Sequence, residues 1–236
     1  MIDIPIALHI PDGFLSGGVA AVCGVVAIAS VAYSLRVANV ELDEARVPLL
    51  GVLAAFIFAT QMLNFPIVGG TSGHLLGATL AAVLLGPWLA CLVLAVVLVV
   101  QAFAFADGGI TALGANVLNM GVLGALLAGY LVVAANTVLP HTRVAFLGIV
   151  GVVSWLAVMV GAAATSVELA ASDTVPLATS LPAMLGVHAL IGIGEAVITV
   201  AAVSAVLAAR PDLVALAPKE LTPTGARVAQ PAEGTV

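Results

Sequence analysis

The stretch that settles the fold is residues 88–107, WLACLVLAVVLVVQAFAFAD. It runs from Trp88 to Ala106 without a charge, and about 20 apolar residues are what a helix needs to cross a bilayer. The run is continuous Leu, Val and Ala, not the alternating ten-residue pattern of a membrane β-strand. Six further apolar stretches flank it, roughly 16–36, 48–65, 74–87, 116–138, 144–168 and 184–209. The third of the seven, 74–87, is short, and Gly86-Pro87-Trp88 separates it from the fourth. The sequence therefore predicts an all-α integral membrane protein, a compact bundle of about seven transmembrane helices, or six if the short stretch enters only part-way. Residues 1–210 read as one transmembrane domain, with 1–15 as an external N-terminal segment. Residues 211–236, rich in Pro, Ala and charge, read as a flexible cytoplasmic tail.

Composition agrees and excludes much else. Of 236 residues, 63% are hydrophobic and 8% charged, whereas soluble domains carry about 25% charged residues. Six Lys and Arg against twelve Asp and Glu give a net charge of −6, with no basic patch for nucleic acid. Cys23 and Cys91 lie singly in apolar runs and read as small buried hydrophobes. The first 13 residues hold Asp3, Pro5, His9, Pro11 and Asp12 and no basic start, so they do not read as a secretory peptide.

The few charges orient the bundle. With seven spans, Arg36, Arg46, Arg143, Arg210, Lys219 and Arg227 all fall on one side. Asp3, Asp12, Asp107, Glu168 and Asp173 fall on the other, without any Lys or Arg. Positive loops stay inside, which puts the N-terminus outside and the C-terminus in the cytoplasm. His9, His74 and Asp107 then share the external face, His188 lies near the external end of the last stretch, and His141 belongs to the opposite pole. An external pole of imidazoles, carboxylates and glycine-rich loops is a candidate cation-capture site.

Three motifs carry that chemistry. They are Leu8-His9-Ile10-Pro11-Asp12-Gly13-Phe14-Leu15, then Asn64 through Gly69-Gly70-Thr71-Ser72-Gly73-His74-Leu75-Leu76-Gly77, then Gln101 through Asp107-Gly108-Gly109 to Asn116 and Asn119-Met120-Gly121. Together, in this order and spacing, they resemble the CbiM/NikM family, the substrate-binding membrane component of energy-coupling-factor importers for cobalt and nickel. The resemblance is strong over residues 8–125, including the corner Leu85-Gly86-Pro87-Trp88. Later it is confined to general character and to Ile193-Gly194-Glu195-Ala196.

The resemblance implies a bundle that captures one Co2+ or Ni2+ ion, as cargo and not as cofactor, at the external face of the cell membrane. It implies a Met-His start whose amine, amide nitrogen and imidazole bind the ion, a loop His completing a square plane. By residue match, His9 and His74 take the two imidazole places. Planar nitrogen ligation suits Ni(II) or Cu(II) better than Zn(II), which prefers a tetrahedron. The resemblance also implies a coupling transmembrane subunit, ATPase subunits and a small accessory membrane subunit as partners, and a link to cobalamin synthesis where the ion is cobalt. Nothing here resembles a GxxxxGK[ST] phosphate loop, so the chain is expected to be a binding subunit and no enzyme.

One departure matters. The motif His is residue 9, and with Met1–Ala7 attached Leu8 has no free amine. The expectation is a true start at Leu8 read as Met, which would make its amine a metal ligand; an intact mass that retains Met1–Ala7 would sink it. Gln101, Asp107, Asn116, Asn119 and Ser72 are candidates to support the imidazoles by hydrogen bonds, or equally helix caps and interhelical bonds. His188 reads as structural. Glu195, a carboxylate in an apolar span, is costly and is expected to face the bundle and pair with a hydroxyl or amide. Two other functions stand as alternatives. Gly70-Thr71-Ser72-Gly73 matches the GxSG string of rhomboid intramembrane proteases, with His188 as base to Ser72. A vitamin-type importer component is the other, though 5% aromatic residues give few walls for an organic solute.

Overall fold

The structure is a computed structural model that describes residues 9–42, 46–62, 65–67 and 71–222. Among the described residues seven helices follow the seven apolar stretches: α1 (Gly17–Glu41), α2 (Val47–Gln61), α3 (Ala78–Leu85), α4 (Pro87–Phe105), α5 (Leu113–Val138), α6 (Arg143–Ala171) and α7 (Leu177–Ala209). Five of them, α1 and α4–α7, are long and apolar enough to cross a membrane. The 15-residue α2 is shorter, and α3 has eight residues. The third crossing is thus a half-helix, as the shortness of its apolar stretch suggested. It is entered through a hairpin, β1 (Phe65–Ile67) against β2 (Thr71–Gly73), in which Pro66 faces Ser72.

Local chemistry explains most boundaries. The side chains of Ser16 and Thr142 accept the amides of Val19 and Ala145, starting α1 and α6. Gly86, at φ +89°, turns the corner between α3 and α4, and Pro87 then occupies the first position of α4. Within α5, Leu118–Leu126 winds as a π-helix, a form that tends to mark functional regions.

All eight residues of α3 are buried, and with α4, the π segment and Phe146, Val150 and Val158 of α6 they form the core. Around them Val, Ile, Leu and Phe side chains of α1, α4 and α7 stand exposed, as a lipid-facing surface requires. The small residues of α1 divide in use. Gly24 meets Gly114 of α5, where an added Cβ would lie 2.5 Å from the Gly24 Cα, whereas Gly17 and Gly18 have open space around them.

Two sequence expectations are corrected. The last helix begins at Leu177, not at residue 184, with Pro182 inside its second turn. At 1.5 Å per residue, His188 therefore lies about 16 Å along the helix instead of near its end. Residues 211–222 were expected in a flexible tail, yet they pack on the bundle. Val214 is buried, the Leu216 amide donates to the Val83 carbonyl at 3.1 Å, and Asn136 Nδ2 donates to the Leu216 carbonyl at 3.0 Å. His141 and Glu220 add an exposed ion pair at 3.0 Å. The rest of that tail lies outside the described residues.

Candidate metal centre

His9 is carried by a short N-terminal strap laid across the loop after α4. Ile10 makes three backbone bonds: its amide donates to Asn116 Oδ1 at 2.8 Å, and its carbonyl accepts from Asn116 Nδ2 at 3.2 Å and from the Gly109 amide at 2.9 Å. Asp12 Oδ1 accepts both the amide and the hydroxyl of Thr111, at 2.7 and 2.6 Å. Those two bonds hold the Asp12 carboxyl below its ordinary pKa. The approach is so close that a Cβ on Gly109 would collide with the Asp12 amide and the Pro11 carbonyl carbon. Farther along, Thr174 Oγ1 donates to the Phe14 carbonyl at 2.5 Å.

His74 sits on a different kind of support, the extended segment that leads from β2 into α3. Its Nδ1 lies 2.9 Å from the Leu75 carbonyl, an arrangement in which Nδ1 carries the proton and Nε2 the lone pair. Two residues on, both polar groups of the Leu76 backbone are taken by buried side chains. Glu195 of α7 accepts the Leu76 and Gly77 amides, both at 2.8 Å. Gln61 of α2 donates to the Leu76 carbonyl at 2.8 Å, and Gln101 of α4 donates to Gln61 Oε1 at 3.0 Å. Gly77 takes φ +71°, and a Cβ there would fall 2.8 Å from Ile57 Cγ1.

The two supports bring the two imidazoles together. The rings of His9 and His74 are 4.3 Å apart, centroid to centroid, tilted by 57°, and both are buried, at 3% and 1% exposure. Asp107 Oδ1 lies 3.0 Å from His9 Nδ1, but out of line with the ring N–H direction. Both His9 ring nitrogens and His74 Nε2 are thus buried without a hydrogen-bond partner. Burial alone would raise the Asp107 pKa; the His9 contact and the nearby His9 and His74 imidazoles outweigh it, so the carboxyl ends below its ordinary value. Buried nitrogens left unpaired cost free energy, about 1–3 kcal/mol each, and are rare enough to demand an account. Among the described residues, no group of three or more His, Cys, Asp and Glu side chains is arranged to hold an ion. An ion here would need main-chain nitrogens as well.

The remaining sequence candidates separate. Asn116 supports the His9 strap directly, and Gln101 supports the His74 segment through Gln61. Asn119 does neither: its Nδ2 donates to Glu168 Oε2 at 2.8 Å and to Thr165 Oγ1 at 3.2 Å, a buried cluster that Cys23 joins at 3.5 Å from Glu168 Oε1. Ser72 lies on β2. His188 is buried in α7 with Nδ1 2.7 Å from the Met184 carbonyl of its own helix and with Nε2 lacking a hydrogen-bond partner. His141 stands at the opposite pole, against Glu220. Leu8 lies outside the described residues. Sequence reading gave no role to Gln61, whose amide reaches the Leu76 carbonyl 15 residues on, and it counted Glu168 only as an unpaired external acid, whereas it accepts from Asn119 Nδ2, 49 residues away; no local signal marks either.

The fold and site define a multi-pass membrane bundle whose polar strap and loop converge on a buried imidazole pair. The family follows from comparison: residues 9–213 match CbiM, described as the cobalt uptake substrate-specific transmembrane region, and the chain belongs to that family. A relative from Archaeoglobus fulgidus, provisionally named a fused nickel transport protein, is 41% identical over 88% of this chain and 68% of its own length. The fused nickel transport protein of Rhodobacter capsulatus is 36% identical over 88% of this chain and 64% of its own length. The crystal structure of a truncated transition metal transporter superposes with a TM-score of 0.74 at 33% identity, over 85% of this chain and 99% of that one.

Proposed function

We propose that the chain is the substrate-capture subunit of an importer for cobalt or nickel ions, and that it binds one divalent ion between His9 and His74. The observation that carries this is the buried pair of rings 4.3 Å apart with three nitrogens lacking partners. Family membership supports a metal cargo, and the names of the relatives support cobalt or nickel over an organic solute.

The geometry suggests which nitrogens serve. His74 offers Nε2, because Nδ1 already faces the Leu75 carbonyl, and such a carbonyl partner is what orients a metal-binding imidazole. A chelate that joins the His9 amide nitrogen to its own ring closes through Nδ1. The incoming ion therefore replaces the out-of-line Asp107 contact, and Asp107 stays beside it as a negative charge. The amine of residue 8 is the fourth planar donor in this reading, with the chain beginning there; intact mass of the native protein tests that part. Four nitrogens in a plane favour Ni(II).

Orientation belongs to the same proposal. Arg143, Arg210 and Lys219 share the pole of the docked residues 211–222, and the positive-inside rule makes that pole cytoplasmic. His9 and His74 then face outward. The chain is a non-catalytic subunit within residues 1–210, energised by a coupling membrane subunit, ATPase subunits and a small accessory membrane subunit; the fused relatives support assembly with further components. The test is metal binding by the purified protein. Wild type should bind one equivalent of Ni2+ or Co2+, and His9→Ala together with His74→Ala should abolish it; binding that survives both substitutions refutes the site.

A further inference from the structure

We propose that Glu195 is the positioning residue that sets the metal selectivity of this centre, although it touches no ion; the proposal rests on the reading above that His74 binds the metal. Side chains of two helices meet on the backbone of Leu76, two residues from His74, and a third helix holds one of them. The Leu76 amide is held by Glu195 of α7, the Leu76 carbonyl by Gln61 of α2, and Gln61 by Gln101 of α4. The Leu75 carbonyl is engaged by His74 itself. From Leu75 to Gly77 the backbone has little freedom left, and the direction of the His74 ring follows from it.

A plain helix cap does not account for the arrangement. Helix starts are usually capped by a local Ser, Thr, Asp or Asn. Here the position before α3 is Gly77, in the left-handed region and without a side-chain cap. The acceptor arrives instead from 118 and 119 residues away, as a 3%-exposed carboxylate in an apolar span, where such a group is costly. Each Glu195 oxygen takes one amide, so the pair of bonds fixes the rotation of the segment as well as its position. What a remote carboxylate adds over a local cap is registration of the His74 segment against α7.

That registration matters for planar ligation more than for tetrahedral. A nitrogen plane tolerates little displacement of any one donor, here His74 Nε2, whereas Zn2+ accepts a ligand set that has moved out of plane. A Gln at 195 can accept one amide but presents its own NH2 to the other, which tilts the segment. An Asp is one methylene short and reaches the amides less well.

The experiment uses the full chain purified in detergent, titrated calorimetrically with Ni2+ and Zn2+, with the visible spectrum of the Ni2+ form and the melting temperature recorded alongside. Glu195→Gln should lose Ni2+ affinity by about 10–100-fold, the range for groups that orient metal ligands. Zn2+ affinity should change by less than about 3-fold, since zinc tolerates the displaced donor. The planar Ni2+ absorption should weaken in step, and Glu195→Asp should fall between Gln and wild type. Phe146→Leu, a fully buried core change, should lower the melting temperature and leave the Ni2+:Zn2+ ratio alone. If Glu195→Gln keeps the wild-type ratio and spectrum and only melts earlier, as Phe146→Leu does, Glu195 is a cap and the proposal is overturned. Should Glu195→Gln not fold, Glu195→Asp decides by the same two readouts. Wild type that binds neither Ni2+ nor Co2+ would instead refute the metal-capture reading itself.

Discussion

The two segments that carry the imidazoles are held in opposite ways. The His9 strap is fastened by an exposed pair of bonds, Asp12 to Thr111, and a buried pair, Ile10 to Asn116, both to the loop after α4 or the first turn of α5, with Phe14 tied farther along to Thr174. The His74 segment is fastened inside the bundle by Glu195, Gln61 and Gln101, from three helices distant in sequence. The difference assigns tasks. A strap held chiefly through one neighbouring loop, with its Asp12 bonds exposed, can lift to admit or release an ion, while a segment locked from three helices supplies a fixed donor against which the strap closes.

Substitutions can break that contrast, beginning with the donors. His74→Ala should lower Ni2+ or Co2+ affinity by more than about 100-fold, beyond the effect of orienting groups, while Ala at 9 should cost less because the main-chain nitrogens remain; calorimetry would show the order. Next, Asn116→Ala removes two of the three bonds to Ile10. It should weaken binding by about 10–100-fold, chiefly through faster dissociation, with increased hydrogen exchange at residues 9–13 and none at 74–77. Exchange rising equally in both segments would dissolve the distinction.

A pair of glycines sharpens it further. Gly109→Ala drives a methyl into the strap, which can lift away, so metal affinity should fall while the melting temperature barely moves. Gly77→Ala meets Ile57 inside the bundle and adds strain at positive φ, so stability should fall by about 1–3 kcal/mol, seen as an earlier melt. The smallest effect concerns pH. The Asp12 carboxyl is depressed below its ordinary value, so its hold on Thr111 is complete above the unfolded carboxylate pKa of ~3.9 and is lost only as pH falls through the lower folded value. Strap exchange should therefore be flat from about pH 5 to 8, and Asp12→Asn, which still presents an acceptor oxygen, should change affinity by about 3-fold or less.

Much of this was legible beforehand because membrane helices announce themselves by length and apolarity, and because His9 and His74 sit in ordered motifs. The seven stretches became seven helices, the short third one became α3, and the two histidines meet. What sequence could not reveal was pairing through the backbone. Glu195 was expected to find a hydroxyl or an amide; that it finds the Leu76 and Gly77 amides depends on the loop that dips to meet α7. Asn119 looked like a support for the imidazoles, yet it faces Glu168 and Thr165. The start of α7 was hidden by Pro182, which reads as a helix breaker but is accommodated inside the second turn. Val214 and Leu216 look ordinary in a Pro- and Ala-rich tail; the buried Val83 carbonyl near the end of a half-helix, which accepts the Leu216 amide, gives them a place to dock.

The π segment of α5 carries a consequence for how this chain can change over generations. A wide turn is what remains when one residue is inserted into an α-helix without extending it. Removing a single residue between Leu118 and Leu126 would let the remainder wind as ordinary α-helix, at about 100° per residue, with Leu113–Val117 close to its present rotation against Leu127–Val138. Asn116 would still meet Ile10, and Gly114 would still meet Gly24. Within this membrane helix the wide segment is therefore the place where the chain can lose one residue at least cost to the strap.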